Sequence, residues 1–116
     1  MRTAKITNTS DDPILLNIVE RIVSAYHPSR LYLFGSQATG NQNEDSAYDL
    51  VIPVDDSAKP EFKSPTLAYR SLSGIKAAVD VLVWTEQEFQ KRLHIPNSLP
   101  SKVINEGILL HAAWSS

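Results

Sequence analysis

Three short stretches carry side chains whose types and spacing could do chemistry. The first is Gly35-Ser36, which closes the apolar run Leu31 to Phe34. A glycine after a strand, followed by a helix-capping serine, turns backbone N–H groups toward an anion, and glycine lets a phosphate approach closely. The same pair also serves any strand-to-helix turn, so alone it selects no function. The second stretch is Ala47-Tyr48-Asp49, which follows Ser36 after ten residues, Gln37 to Ser46. Residues two apart on a strand share a face. Carboxylates at positions 47 and 49 would therefore converge, and such a pair holds Mg²⁺ with water and phosphate oxygens. Only Asp49 is a carboxylate; position 47 is alanine. The plainer reading of Asp49 is a surface residue that opens a strand. The third stretch is Val79 to Trp84, where Val79, Val81 and Val83 share one face and Asp80, Leu82 and Trp84 the other. A buried lone carboxylate is costly unless paired or on a metal. Asp80 is thus expected either at a functional site or, more plainly, salt-bridged at the strand's wet end.

These residues need elements to position them. Asp11-Asp12-Pro13 starts a helix, with an acidic cap and proline in the first turn. Leu15, Ile18, Val19, Ile22 and Tyr26 follow at helical spacing, and His27-Pro28 ends the run. Residues 30–35 form a first strand, apolar enough to be central and covered on both faces. Ser36 to Gly40 is read as a short helix and Asn41 to Ser46 as surface loop. Residues 48–54 form a second strand, with Pro53 suggesting a sheet margin at its far end. Asp55 to Lys63 is read as a polar loop. Ser64-Pro65 then opens a helix to about Leu72, stopped by Gly74. Residues 78–84 form a third strand. Thr85 with Glu88 makes a capping box for a helix through Leu93. A helix from Asn97-Ser98 ends before Gly107, and Ile108 to His111 is a closing strand. The fold class is α/β, a single mixed sheet flanked by helices. About a dozen residues between the first two strands permit either an antiparallel connection or a short crossover.

Composition bounds the function. The 116 residues suit one domain over the whole chain, with residues 1–10 a polar, flexible leader. A net charge of −2 argues against nucleic-acid binding by bulk electrostatics. There is no cysteine, which excludes disulfides and thiolate metal sites. No apolar run approaches the ~18 residues that span a bilayer, and the N-terminus lacks a signal-peptide core. A cytoplasmic protein is the default. His27, His94 and His111 show no metal-ligand spacing, and Trp84 and Trp114 read as packing residues. The sequence has no GxxxxGK[ST] phosphate loop, and FGSQATG lacks GxSxG spacing.

Taken together, LYLFGSQATG, AYDLVIPV and AVDVLVW resemble the minimal nucleotidyltransferases (MNT type) of the DNA polymerase β superfamily. That signature is Gly-Ser, about ten residues, Asp-x-Asp, and a third Asp on a later strand. Gly35-Ser36 match the Gly-Ser pair, Asp49 the second Asp and Asp80 the third. The text from Thr85 to Phe89 and from Ile104 to Leu110 is also similar, so the resemblance covers about residues 13 to 111. Two positions depart from it. Gln37 stands where relatives often carry arginine, and Ala47 where they carry the first metal-binding Asp. The lone alanine is either the mark of a natural pseudoenzyme or a deliberate truncation of a carboxylate, and the intact Gly-Ser, spacing, Asp49 and Asp80 favour the second. Asp45 or Glu44 could replace the lost ligand only if the segment before Ala47 continued the strand.

The resemblance implies a nucleotidyltransferase fold and transfer of a nucleoside monophosphate with Mg²⁺ held by three carboxylates. It further implies an antitoxin that binds a HEPN-domain ribonuclease toxin in a hetero-oligomer. The antitoxin transfers AMP from ATP to a toxin hydroxyl, a tyrosine. Gly35 and Ser36 would hold the triphosphate, and Asp49 and Asp80 the metal. Asp80 would also orient or deprotonate the acceptor hydroxyl. Ala47 is then expected to impair this copy. The competing expectations are a non-catalytic module that neutralises its partner by occlusion, and a transferase acting on a small molecule. The last usually needs a second, helical domain.

Overall fold

The computed structural model describes residues 12–35 and 47–112. Helix α1, Pro13–Tyr26, begins where Asp12 turns its carboxylate onto the free N–H groups of Ile14 and Leu15. It buries Leu15, Ile18, Ile22 and Tyr26, the stripe expected from their spacing. It ends at His27, which adopts a left-handed conformation (φ 47°) rather than the α region that Pro28 forbids it.

Four strands form one sheet in the order β3-β2-β1-β4: β1 is Arg30–Phe34, β2 Tyr48–Val54, β3 Val79–Thr85 and β4 Ile108–Ala112. β1 pairs antiparallel with both β2 and β4, whereas β2 and β3 run parallel. The open question of the first connection is thereby answered: β1 and β2 are antiparallel neighbours. The apolar character of β1 follows from its interior place, with Leu31, Tyr32 and Leu33 buried.

Strand alternation splits the core in two. Leu31, Leu33, Tyr48, Leu50, Ile52, Val54 and Val81 point to one face. There α1 and helix α2, Thr66–Ser71, cover them. Tyr32, Val51 and Leu109 point to the other, under Phe89 of helix α3, Glu86–Arg92, and Val103 of helix α4, Leu99–Glu106. Each fully buried side chain of this size contributes about 1.5–3 kcal/mol of transfer free energy. The predicted caps hold: Thr85 accepts from the Glu88 N–H and Ser98 from the Ser101 N–H.

Several details differ from the sequence reading. β2 is an interior strand, so Pro53 is not at the edge of the sheet. It is fully buried and lies beside Trp84 of β3, two residues beyond the last register pair with β1, Val51 with Tyr32. Helix α2 starts at Thr66, one residue after Pro65, whose dihedrals (φ −75°, ψ −7°) are already α-helical, and Ser64 Oγ accepts the Thr66 N–H as the expected cap does. The segment 55–63 contains a short 3₁₀ turn, Pro60–Lys63. The helix expected at 36–40, the loop at 41–46 and the leader at 1–10 lie outside the described residues. No helix among the described residues is long and apolar enough to cross a membrane.

Candidate active site

The site forms where three strand ends meet on the face covered further along by α3 and α4. β1 delivers Gly35 at its C-terminal end, while β2 and β3 deliver Asp49 and Asp80 near their N-terminal ends. The antiparallel turnabout between β1 and β2 is what brings Gly35 to the carboxylates: Phe34, the residue before it, is the register partner of Asp49. The parallel pairing of β2 with β3 then sets Asp49 directly beside Asp80. Adjacent strands lie about 4.8 Å apart, so two side chains in register on one face can share a cation.

Gly35 answers two local demands. Its φ is +79°, a left-handed conformation that glycine adopts without strain. A Cβ there would also fall 2.5 Å from Asp49 Oδ2, well inside contact. The sequence reading gave the missing side chain to an approaching phosphate. In the structure the Asp49 carboxylate uses that space.

Asp49 is half-buried, and its carboxyl is held above the ordinary range. Burial contributes most, followed by the charge of Asp80 and a hydrogen bond between the two side chains. The pair is therefore electrostatically uncomfortable without a cation. Asp80 itself is exposed, which corrects the expectation of a buried carboxylate. β3 is an edge strand, and its leading end runs ahead of the helical cover. Leu82, on the same face, is also 43% exposed, and cover begins only at Trp84. Asp80 is thus open to an incoming ligand and needs no salt bridge to a helix.

Ala47 stands one residue ahead of β2 and is half-buried. The Tyr48 N–H donates to the Ala78 carbonyl at 2.9 Å, so the contact with β3 extends to this end of the strand. Among the described residues no three metal-ligating side chains come together. Asp49 and Asp80 nevertheless fit Mg²⁺, which commonly takes one or two carboxylates and completes its shell with water and phosphate oxygens. Ser36, Gln37, Glu44 and Asp45 lie outside the described residues. His27, His94 and His111 are brought to no common point with Asp49 and Asp80.

One contact at the site was not legible. Tyr48, between positions 47 and 49, points to the opposite face and donates its hydroxyl proton to Asp12 Oδ2 at 2.7 Å. Burial, and then the hydrogen bond and charge of Asp12, push the Tyr48 phenol up to about 12, so it remains a donor. Asp12 is recognisable as a helix cap, but nothing in the sequence says where its second oxygen points.

The sequence and the fold are similar to known proteins. The family model described as "Polymerase beta, Nucleotidyltransferase" covers residues 17–113. Among solved structures, the fold is similar to a toxin–antitoxin with AMP-PNP (TM-score 0.58, 21% identity, 84% of this chain and 73% of that one). It is also similar to a mutant of the toxin–antitoxin MntA-HpeT (TM-score 0.55, 20% identity, 84% and 73%). A third is a putative nucleotidyltransferase from Sulfolobus solfataricus (TM-score 0.54, 22% identity, 94% and 89%). No curated protein matches the chain in sequence.

Proposed function

From the premise that the chain belongs to the Polymerase beta nucleotidyltransferase family, we propose that it is an antitoxin of the nucleotidyltransferase type. Its partner is a HEPN-family ribonuclease toxin in a cytoplasmic hetero-oligomer. Its reaction is transfer of AMP from ATP to a tyrosine hydroxyl of that toxin. The observation that carries the reading is the in-register pair Asp49 and Asp80 beside Gly35. The similarity of the fold to a toxin–antitoxin solved with AMP-PNP supports ATP as donor and a toxin as partner.

In the reaction the acceptor oxygen bonds to the α-phosphorus as the bond to pyrophosphate breaks, and the hydroxyl loses its proton. Asp49 and Asp80 would hold Mg²⁺, which would supply neutralisation of the phosphate charge. The chain's own residues do the rest. Gly35 at the end of β1, together with Ser36 next in sequence, receives the triphosphate. Asp49 is the inner cation ligand, fixed in place between Gly35 and Asp80. Asp80, exposed at the strand edge, orients the acceptor hydroxyl and takes its proton.

Ala47 removes the carboxylate that would join Asp49 from two residues upstream, and this chain is accordingly a weak transferase. Labelled ATP and the cognate toxin test the reading. Ala47→Asp should raise AMP transfer about 100-fold or more, the scale on which misplacement of reacting groups acts. Equal transfer by both forms would remove position 47 from the mechanism. The presence of two carboxylates rather than three favours a second reading, a binding module that silences its partner by occlusion. Under it, Ala47→Asp still neutralises the toxin but transfers no AMP.

A further inference from the structure

We propose that Asp12 and Tyr48 are positioning residues for the cation ligands, tying the leading end of β2 to the N-terminus of α1. The proposal rests on the reading of Asp49 and Asp80 as a divalent-cation site.

Among the described residues, the register pairs of β2 with β1 begin at Asp49, and Tyr48 is tied to the segment leading into β3 through its N–H to the Ala78 carbonyl. Its side chain supplies the second anchor. The ring is buried among core residues of the α1 face, and the hydroxyl reaches Asp12 Oδ2, 36 residues away in sequence. The other oxygen of the same carboxylate takes the Ile14 and Leu15 N–H groups at 3.1 Å each. One carboxylate thus starts a helix and stops a strand from shifting. Because strand side chains alternate, fixing the direction of residue 48 fixes the directions of 47 and 49. The tie acts on the cation site from the far side of the sheet without touching it. Partners that orient metal ligands typically change metal affinity 10–100-fold when removed.

Mn²⁺ binding, followed by water-proton relaxation, tests this in the full chain carrying Ala47→Asp, with thermal melts run in parallel. Adding Asp49→Asn should abolish binding. Adding Tyr48→Phe should weaken it about tenfold. Asp12→Ser should do the same, because serine still caps α1 but is too short to reach Tyr48. Asp12→Asn should restore near-parental affinity, since its oxygen caps the helix and its amide can meet the phenol. The proposal is overturned if Tyr48→Phe and Asp12→Ser lower the melting temperature yet bind Mn²⁺ like the parent; the tie is then structural only. It is also overturned if Asp12→Asn binds as poorly as Asp12→Ser. If the parent takes up no Mn²⁺, or Asp49→Asn leaves uptake unchanged, the cation-site reading itself falls and takes the tie's role with it.

Discussion

At the scale of single residues, Asp49 is bound to Gly35 by space and to Asp80 by charge. The folded chain holds the Asp49 proton more tightly than the unfolded chain, because burial and then Asp80 raise its pKa. Ionised Asp49 therefore costs stability, and the cost grows as pH rises through the raised value. Asp49→Asn should stabilise the metal-free protein at neutral pH. The gain should vanish below the ordinary carboxylate value of about 3.9, where both states are protonated. Melts from pH 3 to 8 in chelator check this. A gain that persists at the acid end would point to packing instead of charge. Gly35→Ala meets both a positive φ and the Asp49 carboxylate. It should cost about 2–3 kcal/mol in denaturant unfolding. A loss under 0.5 kcal/mol would mean that the turn relaxes freely. Both residues were singled out from sequence: glycine for a phosphate, and Asp49 first for a partner at position 47 and then, through the resemblance, as a metal ligand with Asp80.

At the scale of elements, the end of the sheet opposite the site is fastened by a half-buried ion pair. Arg30 of β1 reaches Glu86, the first residue of α3, and donates to the Tyr32 hydroxyl at 2.7 Å. Its guanidinium also lies over the rings of Tyr32 and Phe89, which stack at 5.9 Å. Glu86 further accepts from Ser29 and Gln90. Burial raises the Glu86 carboxyl, but Arg30 and these hydrogen bonds outweigh it and leave the group below its ordinary range. Such a group stabilises fully above its unfolded pKa, about 4.3. Its contribution is lost as pH falls through the lower folded value. Glu86→Gln should therefore cost about 2 kcal/mol at neutral pH and flatten the acid limb of the stability curve below about pH 4.3. Parallel acid limbs in the two proteins would assign the acid sensitivity elsewhere. This cluster escaped the sequence reading because Arg30 and Glu86 are 56 residues apart. Glu86 also reads simply as an acidic residue in a helix's first turn.

At the scale of the whole molecule, one mixed sheet separates two cores and, among the described residues, leaves one end of one face open. α1 and α2 cover the face that holds the Tyr48 ring; α3 and α4 cover the other only beyond Leu82. The uncovered end is where Gly35, Asp49 and Asp80 meet, and Asp80 is reached from solvent. Adding Asp at position 47 brings a third like charge to this end. Ala47→Asp should lower the melting temperature in chelator and make it rise with Mn²⁺, because a ligand bound only by the folded state stabilises it by mass action. A melting temperature indifferent to Mn²⁺ in both forms would argue for the occlusion reading.

The sequence by itself determined the elements, because the signals that start and stop them are local. Asp12-Pro13 opens α1, Thr85 and Ser98 cap α3 and α4, and short apolar runs mark the strands. It also determined which residues to watch, since Gly35, Asp49 and Asp80 are rare types in otherwise apolar strands. Tertiary structure alone decided how those elements pair. Whether β1 and β2 run antiparallel, and whether β3 lies at the edge, depends on packing across the sheet, to which local propensity is blind. That choice put Asp49 against Asp80, exposed the latter, turned Gly35 toward a carboxylate, and joined Asp12 to Tyr48 across 36 residues.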